Sequence, residues 1–202
     1  MRQLLAVLWG LAALSFSAAA GVEVWQIDPA HSAAQFTVRH MMISNVKGEF
    51  GKLSGTVQYD PSDLSKTVVE ATIEAASITT RVEARDNHLK SAAFFDVEKY
   101  PVLTFKSKRV TVEGPGKLKL TGELTMHGTT REVTLDVEGP TAPIKDPRGN
   151  LHVGASASTK VNRQDFGVSW NSVMDGGGLA VGNEVGIVLD VELVKQAPPA
   201  PK

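Results

Sequence analysis

Apolar residues return at every second position through most of this chain, and that period limits what it can fold into. Leu53, Gly55, Val57 and Tyr59 alternate with Lys52, Ser54, Thr56 and Gln58. The pattern recurs at Val69, Ala71, Ile73 and Ala75, at Leu118, Leu120, Gly122, Leu124 and Met126, and at Val133, Leu135 and Val137. It returns at Leu151, Val153, Ala155, Ala157, Thr159 and Val161, then at Val185, Ile187, Leu189, Val191 and Leu193. Successive strand side chains point to opposite faces, so each segment is a strand with one apolar and one wet side. Many such strands, with little helix to cover them, must close on themselves with apolar faces inward. The expected fold is all-β, an extended antiparallel barrel of about eight strands with one short helix.

Strands are predicted over 22–28, 33–42, 46–60, 67–78, 102–113, 116–126, 130–138, 150–162 and 184–194. Turn chemistry separates them, at Asp28-Pro29, Asp60-Pro61-Ser62-Asp63, Glu113-Gly114-Pro115-Gly116, His127-Gly128 and Asp146-Pro147-Arg148-Gly149. An eleven-residue strand reaches roughly 36 Å, which favours a tall barrel over a compact sandwich. Val82 to Ala93 lacks the alternation and holds good helix formers, with Thr79 or Thr80 placed to cap its start. Arg85, His88, Leu89 and Ala92 would share one face of that helix. Gln164 to Asn183, with Asp175-Gly176-Gly177-Gly178, reads as a long loop. Gly55, Ala71, Ala75, Gly122, Ala155 and Ala157 sit at apolar-face positions and are expected to leave room along the barrel axis.

The first twenty residues read as a cleaved export signal. Met1-Arg2-Gln3 is a basic start, Leu4 to Leu14 is apolar, and Ala18-Ala19-Ala20 supplies small residues for cleavage. The apolar run is short of the roughly 20 residues a membrane helix needs. Residues 21–195 form one expected domain, and Gln196 to Lys202 a proline- and alanine-rich disordered tail. Without the signal the chain carries 20 basic and 22 acidic residues, so charge offers no reason to expect nucleic acid. There is no cysteine, so stability must come from the core and the strand ladders.

Signs of catalysis are thin. His31, His40, His88, His127 and His152 show no zinc-type spacing, and the expectation is no metal, no cofactor and no catalytic residue. There is no Gly-x-Ser-x-Gly elbow, Ser44-Asn45-Val46-Lys47 lacks its companion motifs, and the glycine triplet lacks a following Lys-Ser/Thr. The polar residues that stand out are His40, Arg85, Asp86, His88, Asn162, Arg163 and Asp165. They either tie the helix and long loop to the rim by charge-assisted hydrogen bonds or meet a ligand's polar end. Phe36, Phe94, Phe95, Phe105, Phe166 and Trp170 are either core or ligand wall.

The chain resembles the YceI family of exported lipid-binding proteins with a lipocalin-like barrel. The resemblance rests on Trp25-Gln26-Ile27-Asp28 with His31-Ser32, Phe36-Thr37-Val38-Arg39-His40, Gly48-Glu49-Phe50 and Arg85-Asp86-Asn87-His88-Leu89. Phe94-Phe95-Asp96 with Tyr100-Pro101, Leu124 through Thr130, and Asn162 through Gly167 with Val181-Gly182 complete it. It implies non-catalytic binding, storage or transport of a long-chain amphiphilic lipid in a periplasmic barrel, notably a polyisoprenoid such as a quinone or prenyl phosphate, and fatty-acid derivatives as well. It further implies transient membrane contact for lipid exchange, and homodimerisation for which the edge between first and last strands is a route. The ligand residues expected are Phe36, Val38, His40, Phe50, Arg85, His88, Leu89, Phe94, Phe105 and Trp170. Two other readings stand beside it: an enzyme acting on an isoprenoid or fatty-acid derivative, and a structural stress-response barrel filled by side chains.

Overall fold

The computed structural model describes residues 21–175 and 177–196. The expected signal (1–20) and the tail beyond Gln196 lie outside the described residues. The strands are β1 (Glu23–Ile27), β2 (Ala33–His40), β3 (Ser44–Phe50), β4 (Leu53–Asp60), β5 (Asp63–Glu74) and β6 (Ile78–Thr79). After helix α1 (Glu83–Lys90) come β7 (Val102–Gly114), β8 (Lys117–Met126), β9 (Thr129–Glu138), β10 (Ile144–Lys145), β11 (Leu151–Asn162) and β12 (Val181–Lys195).

Eight strands close a ring in the order β11-β9-β8-β7-β5-β4-β1-β12, sealed by β11 against β12 from His152 opposite Val194 to Asn162 opposite Glu184. The first staves are bent. β12 pairs with β2 between Val181 and Asp190, then with β1 between Leu193 and Lys195, so β1 and β2 occupy successive stretches of one edge. β3 and β4 line up in the same way against β2 and β1. The predicted edge between the first and last strands is therefore consumed by closure, and that route to a dimer is shut.

The expected single strand over 46–60 breaks at Gly51-Lys52. There Gly51 N–H donates to the Ser77 carbonyl (3.2 Å) and Lys52 N–H to Ser77 Oγ (3.2 Å), handing the ladder bonds to a 3-10 turn at Ala75–Ser77. In β7 the register slips between Ser107 and Arg109. A one-residue bulge exchanges the faces of a strand, so Leu103 and Phe105 point inward before it and Val110 after it.

The core lies in layers along the axis. At the end away from α1, wholly buried Trp25 (0% exposed) stacks on Tyr59 with ring centroids 5.6 Å apart, beside Ile27, Leu53, Val153 and Leu193. At the helix end Phe50, Ile78, Leu103, Met126, Val161 and Phe166 pack together. Val110, Leu118, Leu120 and Leu135 form a third patch on the wall of β7, β8 and β9. Three of the small residues expected to open the axis do otherwise: Ala75 is wholly buried in the 3-10 turn, off the cavity wall, and the other two are glycines. A Cβ on Gly122 would meet the Phe105 ring at 2.5 Å, and one on Gly55 would meet Ile27 Cδ1 at 2.9 Å, so neighbours fill those spaces.

Candidate functional site

The inward faces leave a cavity of about 290 Å³. Its wall runs from Tyr59, Leu64 and Pro140 at one end to Leu89, Phe94, Phe95 and Val168 at the other. Between them lie Val57, Val69, Phe105, Leu120, Leu135, Leu189 and others, with Ala71, Ala155 and Ala157 keeping the bore open. Twelve residues of β11 span about 40 Å, and a strand tilt of roughly 35–45° leaves a barrel about 30 Å tall. A volume of that size spread along such a height is a narrow tunnel, suited to a chain and ill suited to a compact ring system. The barrel is not filled by its own side chains.

Six of the ten residues expected from sequence line this tunnel: Phe36, Val38, Phe50, Leu89, Phe94 and Phe105. The other four are brought elsewhere. His40 is exposed where β2 meets its hairpin turn, opposite Ser44. Arg85 Nε donates to Thr80 Oγ1 (2.7 Å) and Nη2 to the Thr80 carbonyl (3.1 Å), which commits its guanidinium to the chain entering α1. His88 and Trp170 stand behind Phe94, not on the wall. His88 meets Phe94 edge-on at 5.0 Å and Trp170 at 4.9 Å, and Phe94 and Trp170 are 5.1 Å apart. Leu89 is the residue of α1 on the tunnel wall; Arg85, one turn earlier on the same face, is drawn off to Thr80, and His88 is held between Phe94 and Trp170.

The helix start also differs from expectation. Val82 is the N-cap, without a side-chain bond, because the chain turns at Arg81 (φ 65°) and leaves Thr79 and Thr80 too early to cap. Asp86 instead reaches back. It accepts from the Thr80 N–H (2.7 Å), the Thr80 hydroxyl (2.5 Å) and the Thr79 hydroxyl (3.1 Å). Burial works to raise the Asp86 carboxyl, but these bonds outweigh it and hold it below the usual carboxylate range.

Arg163, which sequence placed only among the rim ties, is the charged group on the tunnel wall. It opens a 3-10 turn, Arg163–Phe166, whose preceding Asn162 accepts from the Gln164 N–H (3.1 Å) and whose Gly167 closes it at φ 79°. That turn directs the side chain inward until it is only 4% exposed. Nε donates to the Gly182 carbonyl (2.9 Å), Nη1 to the Val168 carbonyl (2.6 Å) and Nη2 to the Val181 carbonyl (3.5 Å). The predicted tie between long loop and rim is thus present. Burial lowers the guanidinium below its ordinary value. Tyr59 is the other titratable wall residue, and burial raises its phenol. No acid–base pair faces the tunnel among the described residues.

A second polar constellation lies away from the tunnel wall. Ligand atoms of Asp28, His31 and Glu192 lie within 4.8 Å of one another, an arrangement that could hold a metal ion. As it stands the group satisfies itself, with His31 Nδ1 2.8 Å from Asp28 Oδ2. His152 joins it through Glu192 Oε1 (2.7 Å) and Asp146 Oδ2 (3.3 Å). Hydrogen bonding to Asp28 raises His31, and bonding to Glu192 raises His152. Asp146 is pulled down to about 2, first by its bond from Asn150. Sequence spacing hid this convergence, because His31 and His152 meet only through the closing pair of strands.

A family model described as a YceI-like domain matches residues 25–193. The chain belongs to the YceI family. A UPF0312 protein of Staphylococcus aureus strain N315 is 37% identical over 158 residues, which is 78% of this chain and 90% of that protein. A YCEI protein of Campylobacter jejuni superposes with TM-score 0.66 at 31% identity, covering 79% of this chain and 90% of the other. BcnA of Burkholderia cenocepacia superposes with TM-score 0.70 at 24% identity, over 82% and 98% of the two chains. A polyisoprenoid binding domain from Saccharophagus degradans, implicated in plant cell wall breakdown, gives TM-score 0.59 at 14% identity, over 85% and 98%. The last two likenesses are of fold.

Proposed function

We propose that this YceI-family barrel binds and carries one long-chain isoprenoid lipid in its tunnel, without acting on it chemically. The single observation that carries the reading is the tunnel, lined mostly by apolar side chains and narrow for its length. Phe36, Val38, Phe50, Leu89, Phe94 and Phe105 form part of the wall against the lipid tail. Each buried methylene contributes roughly 0.8 kcal/mol, so a dozen give about 10 kcal/mol before the losses of translational freedom and chain ordering. Micromolar or tighter binding follows. The polyisoprenoid-binding neighbour supports the ligand class, and the lack of a paired acid and base on the wall supports a carrier over an enzyme.

The protein works in the periplasm, exported by its first twenty residues, and exchanges its cargo through transient contact with a membrane. Titration of delipidated protein with a short-chain ubiquinone in a calorimeter tests the ligand reading. Saturable one-to-one binding is expected, whereas no heat with the quinone or with geranylgeranyl phosphate would reject it. The secreted product should begin at Gly21 by mass, and an intact Met1 would remove the export reading.

A further inference from the structure

Resting on the lipid-carrier reading, the inference here concerns the polar end of the cargo. Arg163 is buried on the wall of an apolar tunnel, among Val161, Val168, Val181 and Val185. Its three hydrogen bonds all go to backbone carbonyls, and no carboxylate lies within 4.0 Å of it among the described residues. A guanidinium carries five N–H donors, so three bonds leave two without an acceptor. Carbonyl dipoles solvate the cation in part but do not neutralise it. A lone charge in a low-dielectric interior is costly unless a partner charge shares the site. The other positively charged side chains of the barrel lie off the tunnel wall, many of them in surface ion pairs such as Lys160–Glu184 and Lys106–Glu70. Arg163 differs from them in both burial and partner.

We propose that Arg163 is the headgroup site of the tunnel, and that it selects single-tailed lipids ending in an anionic oxygen group, a carboxylate or a phosphate. The N–H bonds that remain on Nη1 and Nη2 can donate to the oxygens of either group. The headgroup then lies at the helix end, inside Phe94 and Val168, and the tail runs toward Tyr59 and Leu64. His40, Arg85 and His88 take no part, because each is off the wall and the last two are engaged elsewhere.

Matched pairs that differ only at the head test this on the wild-type protein: farnesyl phosphate against farnesol, and palmitate against hexadecanol. The anionic member should bind at least about tenfold more tightly in one or both pairs, the value expected of a desolvated charge-assisted contact. A preference confined to the phosphate pair identifies a prenyl phosphate head, and one confined to palmitate identifies a carboxylate. Equal affinity within each pair overturns the proposal while leaving the carrier reading intact. No binding by any of the four overturns the carrier reading itself. Arg163→Gln should erase the preference within each pair, and Arg163→Lys should keep part of it. A preference that survives in folded Arg163→Gln, judged by unchanged circular dichroism, also overturns the assignment.

Discussion

The two ends of the barrel are closed by different physics. Away from the helix, Trp25 stacks on Tyr59 inside, while the network of Asp28, His31, Glu192, His152 and Asp146 ties the bend between β1 and β2 to β11 and β12 outside. At the helix end, closure relies on one short helix, the cluster of His88, Phe94 and Trp170, and Arg163 bonded only to carbonyls. The hairpin tip beside it, bonded through Met41 N–H to the Ala180 carbonyl, carries Met41 and Met42 in the left-handed region, with Ile43 76% exposed. Strained non-glycine backbone at a chain's functional end is a recurring association. One end, the base, is held by cross-strand ladders and the Trp25–Tyr59 stack. The other is assembled from loops and one short helix.

The largest effect expected from this contrast is at the base. Trp25→Ala removes a wholly buried indole and its stacking on Tyr59, and should cost about 3–5 kcal/mol in denaturant unfolding. A loss below about 1 kcal/mol would mean the base is not the anchor. Next comes the bore between the ends. Ala157→Phe places a ring in the tunnel and should weaken lipid binding by about a hundredfold, near 2.8 kcal/mol. Its folding stability should fall by no more than the roughly 1–3 kcal/mol of overpacking. Unchanged binding in that variant would place the lipid elsewhere.

A smaller effect separates the ends directly. Trp170→Ala dismantles the aromatic cluster, whose pairs are worth about 0.5–1.5 kcal/mol each. Hydrogen exchange should show faster opening of α1, with protection of the β11–β12 ladder unchanged. Uniform loss of protection in both would show that the ends do not open separately.

The smallest effect is the pH response of the base network. His152 is raised above its ordinary 6.5, so its contribution is complete below that value and is lost as pH climbs through the raised one. Asp146, held at about 2 against an ordinary 3.8, contributes fully above 3.8 and fades as pH falls toward 2. The Tm difference between wild type and Glu192→Gln should therefore be larger at pH 6 than at pH 8, because Glu192 is the first cause of the raised His152. A difference that grows above pH 8 would contradict the assignment.

Much of the barrel was legible because alternation reports which face of a strand is buried, and turn residues report where it ends. The staves expected over 150–162 and 184–194 are found as Leu151–Asn162 and Val181–Lys195, the latter starting inside the stretch read as a loop. Alternation does not report what crosses the axis. It marked Gly122 as open space, whereas Phe105 lies over it, and it could not show that the break at Gly51-Lys52 is made by Ser77. The site was legible in the same proportion. Phe36, Val38, Phe50 and Phe105 follow from inward strand positions, and Leu89 and Phe94 from the helix and its exit. Arg163 was visible as one polar residue among several, but only the 3-10 turn after β11 shows that it faces inward. The cluster of His88, Phe94 and Trp170 joins residues distant in sequence, which no local pattern records.

The tunnel is proposed to hold one lipid. Native mass spectrometry of detergent-free protein tests it most directly, with wild type and Ala157→Phe prepared side by side. A stoichiometric long-chain adduct on the wild type, recovered by lipid extraction and missing from the variant, is the predicted result. A bare wild-type mass that also refuses added quinone and prenyl phosphate, or an adduct retained equally by Ala157→Phe, would contradict it.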